Sequence, residues 1–121
     1  MFIYLASPYA HPDPAVMQER FHQASYTVAH FLRKNITVYS PIAHNHYLAC
    51  NFDLPRTWGF WQGPDLDMLF EAEELWILQL PGWEESTGVR AEREQARAWG
   101  KPVLLISWEN ICGEDYQYGE P

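Results

Sequence analysis

The sequence is poor in cysteine and in basic residues, and each shortage removes a class of function. Only Cys50 and Cys112 occur in 121 residues, with no CxxC step between them. The expectation is reduced thiols, no disulfide staple and no thiolate zinc site. Lys and Arg number 8 against 16 Asp and Glu, a formal net charge of -8. A polynucleotide reader needs a basic footprint against the phosphate backbone, so a nucleic acid polymer is not the expected partner. Long apolar runs are also missing. The opening MFIYLASPYA has no basic start and is interrupted at Pro8, so neither a signal peptide nor a membrane span fits, and a cytoplasmic protein is expected.

What is present is a core. Hydrophobic residues make up 47% and aromatics 16%, too apolar for a disordered chain. The length suits one domain over 1–121. Six Trp are many for this length, and such rings serve as core, as interface or as a platform for a planar ligand.

Phe2–Ala6 is a short β-prone run ended by Ser7-Pro8, and Pro12, Asp13 and Pro14 signal a loop and a helix start. Phe21, Ala24, Val28, Phe31 and Leu32 recur at helical spacing within Ala15–Lys34. Ile36–Ile42 is a second strand, again ended by Ser-Pro. Residues 43–62 mix aromatics, His, Asn and Pro without a clean period, and so long a connection in a small domain is usually functional. Asp65–Ala72 follows Gly63-Pro64 as a short helix with Leu66, Leu69 and Phe70 turned inward. Leu75–Leu80 is a buried strand, Val89–Trp99 a helix closed by Gly100, and 103–108 a fourth strand before a polar, aromatic tail over 109–121. The alternation predicts an α/β three-layer sandwich, flavodoxin-like or Rossmann-like, with a mainly parallel sheet of four to five strands and ligand at their carboxyl ends.

That placement directs attention to Ser7-Pro8-Tyr9, to Pro41–His46 and to Gly82–Gly88. Asp65 and Glu92 lie on helices flanking the third of these loops. Two carboxyls in one pocket, their pKa values pushed apart, are what cleavage of a glycosidic bond needs; acids in a first helical turn also simply complement the macrodipole. Ser86, Thr87 and Gly88 suit either a phosphate cradle at a helix N-terminus or an ordinary N-cap, and the spacing is neither a Walker loop nor GxGxxG. His44 and His46 form an HxH pair without further metal ligands, which favours substrate hydrogen bonding or loop packing over metal binding. His11 sits in the first of these loops, within reach of a ligand, and His22 and His30 fall off the apolar stripe of their helix, toward solvent. Trp58, Phe60 and Trp61 could stack on a base or cover an apolar surface.

The blocks Tyr4-Leu-Ala-Ser-Pro8, Asp65-Leu-Asp-Met-Leu69, Ser86-Thr-Gly-Val-Arg-Ala-Glu92 and Gly100-Lys-Pro-Val103, in this order, resemble the nucleoside 2-deoxyribosyltransferase superfamily. They are similar above all to its small 2'-deoxynucleoside 5'-phosphate N-glycosidases and to short bacterial and phage proteins of the same type. The resemblance covers about residues 2–106. It implies that Glu92 is the nucleophile toward C1', that Asp65 assists base departure and orients it, and that Tyr4 stands beside it. Together with the loops after the strands, it gives an expected substrate-binding set of Ser7, Pro8, Ser86, Gly88 and His44. Ser86 would contact a 5'-phosphate, and Asn110 is the candidate for an Asn that some members donate from a partner's C-terminus. A small nucleoside or nucleotide ligand, no cofactor, no metal, and a homodimer or homotetramer follow in the same way. Two positions depart from the family pattern. Ser7 replaces the Gly of an Ala-Gly-Pro turn, and Glu94 replaces a Gly two residues after the nucleophile, about 200° around the helix from Glu92. Arg90 and Arg93 flank the nucleophile, either being able to pair with phosphate or with Glu94. Three readings follow: an N-glycosidase or deoxyribosyltransferase, a nucleotide-binding sensor without turnover, and an oligomeric interaction domain whose Trp cluster is its interface.

Overall fold

A computed structural model describes residues 1–114 and Tyr116; the rest of the expected 109–121 tail lies outside the described residues. Four strands form one all-parallel sheet in the order β2-β1-β3-β4, built from β1 (Ile3–Ala6), β2 (Val38–Tyr39), β3 (Glu74–Gln79) and β4 (Val103–Ser107). Five helices accompany it: α1 (Pro14–Leu32), α2 (Pro41–Asn51), α3 (Trp58–Glu71), α4 (Thr87–Ala98) and the single turn α5 (Trp108–Ile111). The α/β three-layer architecture is the expected one. No helix among the described residues is long and apolar enough to cross a membrane.

Strand alternation builds the two cores. Tyr4 and Ala6 of β1 face one side with Leu75 and Ile77 of β3, where Leu69 of α3 and Val89 and Ala96 of α4 cover them. Leu5 and Leu78 face the other, against Phe31 of α1 and Ile111 of α5. The chain steps from β1 outward to β2, then returns past β1 to β3. The strand order therefore reverses beside β1, and a crevice opens at the carboxyl ends of the strands there.

Several boundaries differ from expectation, each for a local reason. The second strand is two residues rather than Ile36–Ile42, because Ser40 Oγ accepts from Ala43 N at 3.0 Å and Pro41 fits the first helical position. Residues 43–62 are not a loop: they are α2, a link over 52–57 and the start of α3. Asp65 lies inside α3 rather than opening a helix, since Pro64 is carried within it. Phe70 is exposed, its ring packed edge-on to Trp99 at 5.1 Å. On α1 the buried face is Gln23, Ala24, Thr27 and Phe31, while Leu32 is exposed. Thr27 tolerates burial because its hydroxyl donates to the Gln23 carbonyl at 2.8 Å. Gly100, at φ +72, closes α4 in the left-handed conformation expected of it.

Leu69 is fully buried between α3 and the sheet. Leu69→Ala should cost about 2–5 kcal/mol in urea unfolding with the far-ultraviolet spectrum unchanged; a loss below about 1 kcal/mol would mean that α3 does not pack as described.

Candidate functional site

A cavity of about 400 Å³ occupies the crevice. Ser7, Tyr9 and Ala10 follow β1 into its wall, Pro41, Ile42, Asn45 and His46 come from the first turns of α2, and Glu85 to Gly88 lead into α4. Arg56, Thr57, Trp58 and Trp61 close the side at the start of α3, with Asp65 and Glu92 beneath. Helices α3 and α4 approach closely at Gly88, where an added Cβ would lie 3.2 Å from the Trp58 ring.

Two carboxyls dominate the electrostatics. Glu92 is 3% exposed and its Oε2 accepts a hydrogen bond from the Tyr4 hydroxyl. Burial pushes its carboxyl from 4.5 up to about 8, against the Tyr4 bond, and the charge of Asp65 pushes the same way as burial. Asp65 is raised from 3.8 to about 6, chiefly by burial, with Asn45 and His44 opposing. Burial and the two carboxylates hold the Tyr4 phenol well above its ordinary value, so it remains a donor, and the half-buried Tyr39 is raised to about 12. Both carboxyls therefore hold their protons to higher pH than free carboxyls do, Glu92 further than Asp65, and the two titrate as a coupled pair.

Ser7 is 5% exposed, lines the cavity, and its Oγ has no hydrogen-bond partner. A buried hydroxyl left unpaired beside an open cavity is suited to a ligand's polar atom. Ser86 lines the cavity while its Oγ accepts from Val89 N at 3.3 Å, so it is an N-cap as well as a wall residue. Arg90 turns to the Glu84 carbonyl at 3.1 Å and Arg93 lies over the Trp83 ring at 5.9 Å; neither lines the cavity, and Glu94 is exposed on α4.

Asp65, Glu92, Ser7, Ser86 and Gly88 are thus brought together in the wall, with Tyr4 bonded to Glu92 but itself outside the lining, while three other residues expected to bind substrate are not in the wall. Pro8 is fully buried and outside the lining. His44 is exposed outside the lining, its Nδ1 donating to Asn45 Oδ1 at 2.6 Å. Asn110 sits exposed on α5, outside the lining too. The lining histidine is His46, with Nδ1 2.6 Å from the Tyr9 hydroxyl, Nε2 2.8 Å from Gln18 Oε1, and its ring stacked on Phe21 at 4.4 Å. The HxH pair is split between two faces of α2. Among the described residues no three His, Cys, Asp or Glu side chains converge as metal ligands. His11 is exposed and accepts from Asp13 N at 3.0 Å. His22 and His30 are half-buried rather than solvated, His22 beside Tyr116 at 5.3 Å between rings. Trp58 and Trp61 line the cavity, whereas Phe60 is exposed.

The family described as "Domain of unknown function (DUF1937)" matches residues 1–108. The chain belongs to that family. The match includes every cavity-lining residue of this DUF1937 domain, and Asn110 lies beyond it. No curated protein matches the sequence.

Residue chemistry alone does not single out Asn45, Tyr9, Arg56 and Thr57. Tyr9 and Asn45 lie in stretches marked by their positions after β1 and β2, whereas Arg56 and Thr57 come from the segment whose helices the hydrophobic pattern conceals.

The raised Glu92 carboxyl carries a stability signature. The folded protein keeps this proton to about pH 8, the unfolded chain only to about 4.5. Its contribution is complete below 4.5 and is lost as pH climbs to 8. Glu92→Gln cannot ionise, so its melting temperature should gain on wild type by on the order of 10 °C or more between pH 5 and pH 9. Parallel curves would contradict a protonated, buried Glu92.

Proposed function

We propose that this DUF1937 domain cleaves the N-glycosidic bond of a small (deoxy)nucleoside or nucleoside 5'-monophosphate through a covalent glycosyl ester on Glu92. The observation that carries the proposal is the convergence of the Asp65 and Glu92 carboxyls on one cavity, with the buried Tyr4 hydroxyl donating to Glu92. Sequence resemblance alone could not require that meeting.

In the reactive arrangement Glu92 is ionised and the proton resides on Asp65, a rearrangement that leaves the net charge of the pair unchanged. A Glu92 oxygen attacks C1' while the bond from C1' to the base nitrogen breaks. The bonding electrons leave with the base, and Asp65 supplies the proton that the base takes up. Tyr4 keeps donating to the other oxygen of Glu92 and limits the charge that the buried carboxylate must carry alone. Water, or a second base, then releases the sugar from the ester with net retention, giving hydrolysis or transfer respectively. Ser7 and the loop from Ser86 to Gly88 are the polar groups for sugar or phosphate oxygens, and Trp58 and Trp61 are the rings for base stacking. A homodimer or homotetramer belongs to the same proposal; exposed Leu104 and Leu105 on the edge strand β4 are apolar surface suited to it.

A nucleotide-binding domain without turnover is favoured by one feature, the Ser7 side chain in the wall at a position where the resembling family has Gly. Incubation with deoxynucleosides and their monophosphates, followed by chromatography of free base, separates the two. The expected result is base release that falls by about 10³-fold or more in Glu92→Gln. Ligand binding in calorimetry with no release would select the silent domain, and equal release by Glu92→Gln would overturn the role of Glu92. The pH profile of kcat/KM should be bell-shaped, with apparent limbs near the values of about 6 and about 8 that belong to the pair. A profile flat from pH 5 to pH 9 would contradict it.

A further inference from the structure

We propose that Asn45, itself oriented by His44, is a positioning residue for the Asp65 carboxylate, an inference that rests on the glycosidic chemistry above. Asn45 Nδ2 donates to Asp65 Oδ1 at 3.2 Å, and His44 Nδ1 lies 2.6 Å from Asn45 Oδ1. An ionised carboxylate only accepts, so the amide must present its NH₂ to Asp65 and its oxygen to the imidazole. His44 thereby donates from Nδ1–H. Turning the amide over would set oxygen against oxygen at one end and NH₂ against N–H at the other. Both ends of the Asn45 side chain are consequently tied.

The local sequence explains how two adjacent residues reach this arrangement. Ser40 caps α2 through Ala43 N, which fixes the first turn immediately before His44 and Asn45. The His44 ring is held against Tyr39 at 5.9 Å between centroids. The groups surrounding Asp65 are Glu92 from α4, Tyr4 from β1, Tyr39 from β2 and the two α2 residues. Among them, Asn45 is the one that donates a hydrogen bond to Asp65. With Oδ1 engaged by Asn45, Oδ2 is left for a ligand in the cavity that Asp65 lines. Asn45 also opposes the effect of burial on Asp65 and so preserves the spread between the two carboxyls. Its loss should let Asp65 rise toward Glu92 and rotate.

Carbon-detected NMR titration of the Asp65 and Glu92 carboxyl carbons in the full chain tests this without relying on turnover. The Asp65 midpoint should rise by about one pH unit in Asn45→Ala, and by about half as much in His44→Ala. His44→Asn should recover most of the latter shift, because the Asn Nδ2 stands where His Nδ1 does. The His44 pair sits at an exposed position and keeps the test decisive should Asn45→Ala fail to fold. In an active wild type, the acidic limb of the pH profile should move up with the midpoint, and kcat should fall more than KM rises. An Asp65 midpoint unmoved in Asn45→Ala, or His44→Asn no better than His44→Ala, would overturn the positioning role even if the wild type releases base. A midpoint that moves as expected in a protein that releases no base would instead overturn the glycosidic reading.

Discussion

The contact on which the site depends is the hydrogen bond from the Tyr4 hydroxyl to the Glu92 carboxyl, formed between two almost wholly buried groups. An isolated carboxylate cannot be buried at so low an exposure without a large penalty. Glu92 meets that penalty in two ways, by holding its proton to about pH 8 and by accepting from Tyr4. The fold makes both possible. Tyr4 is on the central strand β1, Glu92 is on the inner face of α4, and the parallel pairing of β1 with β3 sets the layer between them. Asp65 reaches the same cavity from the middle of α3 and adds a second raised carboxyl.

The acidity of the chain looks different once these positions are known. A net charge of -8 argues against polynucleotides, yet it is compatible with a small ligand held by neutral donors. The cavity supplies such groups in the Ser7 hydroxyl and in the loop from Ser86 to Gly88, with Arg56 as the basic residue in its wall. Glu85 also lines the wall, so a phosphorylated ligand would have to be seated clear of that carboxylate. Aromatic content divides similarly. Trp58 and Trp61 belong to the cavity, Trp58 doubling as the surface that holds α3 against α4, while Phe70 and Trp99 form a separate exposed pair.

Much of this architecture was legible in the chain, and the failures have physical causes. Strands β1 and β3 stand out because sheet strands buried on both faces are continuous apolar runs, and the edge strand β4 is an apolar run as well although Leu104 and Leu105 are exposed. Helix α4 is equally plain from Ser86 at its start and Gly100 past its end. Segment 43–62 was opaque because the buried face of α2 is Pro41, His46 and Ala49, which no hydrophobic template recognises as a helical stripe. Helix α3 carries Pro64, whose ordinary meaning is a helix boundary. At the site, short motif blocks point to Tyr4, Asp65, Glu92 and Ser86, of which the last three line the cavity and Tyr4 bonds to Glu92. Asn45 could not be found that way, since an amide acquires its role only from the carboxylate that folding brings beside it. His44 was singled out for ligand contact, and it touches Asn45 instead.

The claim that unites fold and chemistry is that Glu92 becomes covalently bonded to the sugar. Its most direct measurement is peptide mass mapping after rapid acid quench of the protein with its best deoxynucleoside or deoxynucleotide. The account predicts a glycosyl adduct on the peptide containing Glu92, formed no later than free base and absent from Glu92→Gln. Base release with no adduct at any quench time, or an adduct on a peptide lacking Glu92, would contradict it.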